Sequence, residues 1–181
     1  NDGSQGFTEH AITTSADNAI SVHAADVDGD GDMDVLATSY GDDKITWYEQ
    51  EGSPVQTTYV PDDNFEQALI DLGYDDVLND FVLTENISGV TSLDVREKEI
   101  SDLTGIEDFT ALTNLRCYDN ELTSLDVSSN TALTSLRCDG NQLTSLDVST
   151  NTVLIDLDCH NNQLTSLDVS NNTALTKLEC E

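Results

Sequence analysis

From Leu112 to Cys180 the apolar positions return on a fixed beat. Leucines stand at Leu112, Leu133, Leu154 and Leu175, and again at Leu115, Leu136, Leu157 and Leu178. Cys117, Cys138, Cys159 and Cys180 follow one another every 21 residues. A fixed period in this range marks a solenoid, in which each repeat buries a shared core against its neighbours. Each unit has two similar halves, L-T-N-L-R-C-Y-D-N-E (Leu112–Glu121) and L-T-S-L-D-V-S-S-N-T-A (Leu122–Ala132). Both follow L-x-x-L-x-[CV]-x-x-N, a short alternating run and then a turn. Period-2 alternation points Leu115 and Cys117 inward and Asn114, Arg116 and Tyr118 outward. Two strands per turn at the usual spacing of ~4.8 Å predict two parallel sheets around a narrow leucine core.

Upstream the pattern changes. Residues 90–111 form a transitional turn in which Leu93 and Val95 precede Leu115 and Cys117 by 22 residues, placing Val95 in the cysteine column. Residues 62–89 predict a small helical cap that shields the first solenoid turn from water. Asp62-Asp63 supplies an N-cap, Phe65, Leu69 and Leu72 share a helical face, and Gly73 ends the helix. A second short helix is expected over Asp75–Phe81, and residues 54–61, bounded by Pro54 and Pro61, are expected to be a linker. Residues 1–53 alternate in four strand-like runs, "FTEHAI", "AISVHAA", "DVLATSY" and "KITWYEQ". The echo of Gly3-Ser4 in Gly52-Ser53 suggests a repeat, and four short strands fit one antiparallel β-propeller-type blade. The expected fold is mainly β: a blade, then a solenoid of parallel strands (90–181) behind a helical cap.

Charge narrows the partners. Six Lys plus Arg face 36 Asp plus Glu, a formal net charge of −30. Such a field repels nucleic-acid phosphates and anionic lipid, attracts divalent cations, and equally suits a salty or extracellular setting. No apolar run approaches the ~20 residues of a membrane helix, so no membrane insertion is expected. The chain opens on polar Asn1–Gly6 without a signal peptide and both ends fall inside repeats, which reads as part of a longer multidomain chain.

Chemistry is concentrated at Asp26, Asp28, Asp30, Asp32 and Asp34, five aspartates within nine residues. In this D-x-D-x-D-G-x-x-D spacing, side chains at positions 1, 3, 5 and 9 converge on one hard cation, Asp32 offers its carbonyl, and Gly31 permits the sharp turn. Without a cation the carboxylates repel, so a Ca²⁺ site is expected. An EF-hand is excluded, because Ala37 stands where the bidentate Glu belongs and strands flank the loop. The turn asparagines (Asn120, Asn141, Asn162; Asn130, Asn151, Asn172) are expected to satisfy backbone groups from rung to rung. The cysteines alternate with Val95, Val127, Val148 and Val169 and are expected to be buried free thiols, with bridges between rungs as the rival. No C-x-x-C pair offers a zinc site, and Cys159 and His160, adjacent on a strand, face opposite sides, so no catalytic dyad forms. The chain is not expected to be an enzyme. The column Asp126, Asp147 and Asp168 reads as solvated aspartates before it reads as a cation site.

With these motifs in view, L-x-x-L-x-C-x-x-N-x-L at a 21-residue period resembles the bacterial leucine-rich repeats of the cysteine-ladder internalins. "PDDNFEQALIDLG" followed by "ISDLTGIEDFTALTNLRC" resembles the cap and first repeat of that group. The aspartate loop, with "DVLATSYGDDKITWYE" behind it, resembles the FG-GAP/VCBS repeats of integrin-like β-propellers, where calcium braces the blade. The resemblance implies a secreted or cell-surface adhesion or recognition protein that binds a protein or glycan on one sheet of a curved solenoid. By that analogy the partner face would be Asn114, Arg116, Tyr118; Ser135, Arg137, Asp139; Asp156, Asp158, His160; Lys177 and Glu179. These positions vary while T-S-L-D-V-S on the other half does not. Recognition and neutral drift on a solvated face both account for that contrast. A second functional reading is an accessory, non-catalytic region of a larger extracellular enzyme such as a polysaccharide hydrolase.

Overall fold

The computed structural model describes residues 19–25, 34–40, 44–48 and 55–181. The chain divides into two compact units, Asn1–Val55 and Gln56–Glu181. In the first, β1 (Ala19–Ala25), β2 (Asp34–Ser39) and β3 (Lys44–Tyr48) form a three-stranded antiparallel sheet in the order β1-β2-β3. Three of the four expected strands are thus present, while "FTEHAI" lies outside the described residues. Ala25 pairs with Asp34 at the end of the β1–β2 ladder.

The second unit begins with strand β4 (Thr57–Tyr59), paired antiparallel with β5 (Phe81–Leu83). This corrects the linker expected over 54–61. Thr58 and Val60 are buried, and the Thr58 hydroxyl donates to Asp108 at 2.6 Å, anchoring the segment to the first repeat. Helix α1 (Asp63–Asp71) starts as expected: Asp62 Oδ1 accepts from the Asn64 and Phe65 amides. Its other oxygen takes the Ser101 amide and hydroxyl and the Asp102 amide, stapling the helix start to the first solenoid turn. The buried face is Phe65, Ala68 and Leu69, with Glu66 fully buried beside them. Leu72 is 45% exposed, because it caps the helix as the chain turns at Gly73 (φ +79°). The helix expected over Asp75–Phe81 is also corrected. Residues 75–80 are a loop and Phe81 opens β5, with the Asn79 and Phe81 amides donating to the Glu66 carboxylate; the second helix, α2 (Thr84–Ser88), follows β5.

The solenoid carries five parallel strands, β6 (Ser92–Asp94), β7 (Asn114–Arg116), β8 (Ser135–Arg137), β9 (Asp156–Asp158) and β10 (Lys177–Glu179), paired in sequence order without slip. Leu93, Leu115, Leu136 and Leu157 stack inward, and Val95, Cys117, Cys138 and Cys159 form the next column, all essentially inaccessible. A single apolar core runs from Phe65 and Ile87 in the cap to Cys159.

Among the described residues the second half of each repeat forms no strand, a correction to the two-sheet expectation. Leu122, Leu143, Val127 and Val148 are buried as the pattern requires. The backbone, however, is committed to turns: Asp126 Oδ1 accepts the Ser128 amide at 2.9 Å, the Asn130 amide donates to the Val127 carbonyl, and the Leu133 amide to that of Asn130. Asp147 and Asp168 repeat this with Ser149 and Ser170. An aspartate that bonds two residues ahead folds the chain locally and withdraws it from a ladder.

The four cysteines are free thiols; Cys117, Cys138 and Cys159 are buried and Cys180 is exposed. Burial pushes the Cys117 thiol up to about 12 and that of Cys159 to about 11, and raises Cys138 strongly. Thiols so raised are poor nucleophiles. Titration with a disulfide reagent is therefore expected to find one rapidly reacting thiol in the native chain and four after denaturation. A denatured count of two or zero would establish bridges instead.

Candidate functional site

The outward face of the parallel sheet collects the varied residues into three columns set by the register. The first is Ser92, Asn114, Ser135, Asp156 and Lys177, and the second is Asp94, Arg116, Arg137, Asp158 and Glu179. The third follows from amides of the next turn: Glu97 donates to the Tyr118 carbonyl, Asp119 to Asp139, and Gly140 to His160. It holds Tyr118, Asp139 and His160, with Arg96 beside Tyr118. All eleven expected partner residues lie on this face. Asp94 and Arg96 belong to it as well, and the 22-residue offset of Leu93 and Val95 was the signal that locates them.

The left-handed residues that end each strand were not anticipated. Asp119 (φ 52°), Gly140 (φ 63°) and Asn161 (φ 52°) stand just before the turn asparagine, and Glu97 (φ 56°) takes the equivalent position before Lys98. Asp, Asn and Gly are the residue types that take this conformation at least cost.

Charge is sorted along the face. Arg96 and Arg137 flank Tyr118 at the cap-proximal end, and Arg116 stands beside them in the second column. The Arg137 guanidinium lies 4.6 Å from the ring centroid, and Arg96 stands 5.5 Å from it while donating to the phenol oxygen. Asp94 answers Arg96 at 3.4 Å and Arg116 at 3.5 Å. Further along, Asp139 and Asp158 are buried at 6% and 3% exposure. Arg137 reaches both, at 3.5 and 3.4 Å, and His160 Nδ1 sits 2.5 Å from Asp158 Oδ1. The hydrogen bond to the Asp158 carboxylate raises the His160 pKa, while burial and then Asp158 raise that of Asp139. Two carboxylates share one guanidinium, and the His160 ring completes the group; the carboxylate and ring atoms of Asp139, Asp158 and His160 lie within 4.8 Å of one another. Lys177 bridges Asp156 at 3.4 Å and Glu179 at 3.0 Å. These half-exposed pairs are worth at most ~1 kcal/mol each, so they order the face more than they stabilise the fold. Four of the chain's six basic residues thus stand on one sheet of a strongly acidic molecule.

Of the aspartate loop, Asp34 is described: it is buried and opens β2. Asp26, Asp28, Asp30 and Asp32 lie outside the described residues. The column Asp126, Asp147 and Asp168 has a structural role. Hydrogen bonds from the Ser128 side chain and amide, and from the Ser149 and Ser170 amides and side chains, lower these three pKa values.

Comparison with known proteins agrees with both units. The FG-GAP-like repeat family matches residues 1–37. Internalin J of Listeria monocytogenes serotype 4b (strain F2365) is 45% identical over 72 residues, 40% of this chain and 8% of that protein. The solved functional domain of InlJ from Listeria monocytogenes, which includes a cysteine ladder, aligns with a TM-score of 0.64 and 45% identity. That alignment covers 70% of this chain and 29% of the InlJ chain. Internalin C2 of L. monocytogenes strain 4b F2365, at 21% identity and a TM-score of 0.60 over 70% of this chain and 59% of its own, shares the fold. The repeats are homologous to those of internalin J, and the chain spans only a small part of that protein's length. Among the described residues no helix is long and apolar enough to cross a membrane.

Proposed function

We propose that this chain is a recognition module displayed outside a bacterial cell, binding a protein partner through the outward face of its parallel sheet. The observation that carries this is the sorted face itself. Tyr118 between Arg96 and Arg137 gives way to buried carboxylates along one register, while the opposite half repeats T-S-L-D-V-S unchanged. Aromatic and arginine side chains held by neighbours are the residue types that dominate protein interfaces. The likeness to internalin J and to the InlJ functional domain supports the same reading. A Ca²⁺ held by Asp26, Asp28, Asp30, Asp32 and Asp34 belongs to it as a brace of the first unit. Its support is the donor set and the strand pairing that brings Ala25 beside Asp34.

The test is an array of extracellular proteins and glycans probed with the chain. Tyr118→Ala with Arg137→Ala is expected to weaken binding to a protein by about 30-fold or more, the scale of an interface hot spot. Asp126→Asn, Asp147→Asn and Asp168→Asn, which keep the turn acceptors, are expected to leave it unchanged. The reverse pattern, or capture of glycans alone, would overturn the proposal.

A further inference from the structure

Glu66, in the first turn of α1, is fully buried, yet only half of its carboxylate is satisfied. Oε1 accepts the Asn79 amide at 2.8 Å and the Phe81 amide at 3.2 Å, whereas Oε2, equally inaccessible, accepts no hydrogen bond. Exposed Asp63, the first residue of the helix, and exposed Asp80, in the loop entering β5, each offer a carboxylate oxygen beside the Glu66 carboxylate. The three ligand atoms lie within 4.8 Å of one another. Asp80 is fixed there by its backbone, since it takes φ 69° and its carbonyl accepts the Val60 amide at 2.8 Å. Among the described residues no Lys, Arg or His forms an ion pair with any of the three, and Lys98, the cation of this region, is held by Asp71. Three carboxyl groups, one of them inaccessible and half-bonded, therefore converge without a basic partner among the described residues. Burying such a group is costly unless a cation meets it.

We propose that Asp63, Glu66 and Asp80 bind a divalent cation, Ca²⁺, which clasps the cap helix to the loop entering β5. The donors are all carboxylate oxygens, the set preferred by a hard cation and unsuited to zinc, which favours nitrogen and sulfur. The two exposed aspartates leave room for water to complete the six to eight oxygens calcium takes. The site lies in the second unit and does not depend on the aspartate loop or on the recognition face. Its effect would be to secure the element that covers the first solenoid turn.

Calorimetric titration of the full chain with Ca²⁺ tests this. With the loop silenced by Asp28→Ala and Asp30→Ala, one saturable site is expected, with a Kd on the order of 10⁻⁴ to 10⁻³ M as in extracellular calcium modules. Adding Glu66→Gln or Asp80→Asn should raise that Kd at least tenfold and abolish the rise in Tm that Ca²⁺ gives. Asp80→Asn is the safer variant for folding, because Asn also tolerates a positive φ. Glu66→Gln keeps an oxygen for the Asn79 and Phe81 amides. An ion that survives loop silencing and is lost on Asp80→Asn supports the cap site even where the loop reading fails. No saturable uptake after loop silencing, or uptake unchanged by both added variants, would overturn it.

Discussion

Replacing Asn141 by Ala is expected to destabilise the solenoid by about 3–5 kcal/mol, read as a lower urea midpoint with unchanged slope. The Asn141 amide nitrogen donates to the Cys117 and Cys138 carbonyls at 3.0 Å and to that of Asp139 at 3.2 Å, while Oδ1 accepts the Leu122 amide at 3.0 Å. Its carbonyl partners belong to two successive rungs, so the side chain holds one turn to the next. Alanine removes these bonds and strands buried backbone groups, each of which costs about 1–3 kcal/mol when unsatisfied. Asn171 is a fair control. It is exposed and makes a single long bond of 3.3 Å to the Ser149 carbonyl, so Asn171→Ala should stay within about 0.5 kcal/mol. Equal costs for the two would show that the buried column is not what joins the rungs.

Phe65→Ala is expected to cost about 3–5 kcal/mol, the range for truncating a buried aromatic. Phe65 is wholly inaccessible, and its ring centroid lies 6.4 Å from that of Phe109 in the first solenoid turn. It is one of the cap side chains in the core that cap and repeats share. Leu72→Ala, on the same helix but 45% exposed, should cost less than about 1 kcal/mol. Denaturant unfolding of both variants separates the outcomes. A mild Phe65→Ala would mean that the cap shields the first turn without bearing on its stability.

The contrast between Phe65 and Leu72 also shows how far the sequence was legible. Period and register were plain, because a 21-residue repeat states the same inward positions many times over and Val95 extends the column by one rung. The cap was legible as a helix with a capping aspartate, but its edges were not. Residues 57–59 carry no strand pattern long enough to register, and they become a strand only because residues 81–83 arrive beside them. The second half of each repeat misled for a related reason. Its alternation is genuine and its apolar residues are buried, yet Asp126, Asp147 and Asp168 bond to amides two residues on, a local preference that alternation does not reveal. That the eleven varied residues share one outward face was legible residue by residue. The grouping of its charges, with Arg137 shared between Tyr118 and two buried carboxylates, depends on distances that a register alone does not supply. Glu66 was passed over because a glutamate early in a helix is ordinary; its burial is what sets it apart.

The asparagine column has a further consequence. Asn120, Asn141 and Asn162 each bond a carbonyl of their own turn and one of the turn before, and the partners are equivalent on every rung: Val95 and Cys117, Cys117 and Cys138, Cys138 and Cys159. Removing one whole repeat would leave each remaining asparagine facing the carbonyls it needs, whereas removing any other number of residues would misalign every asparagine beyond the cut. Length in this half of the molecule therefore comes in whole turns, so the reach of the face can be lengthened or shortened by copying or deleting a segment without redesigning the asparagine contacts that join the rungs.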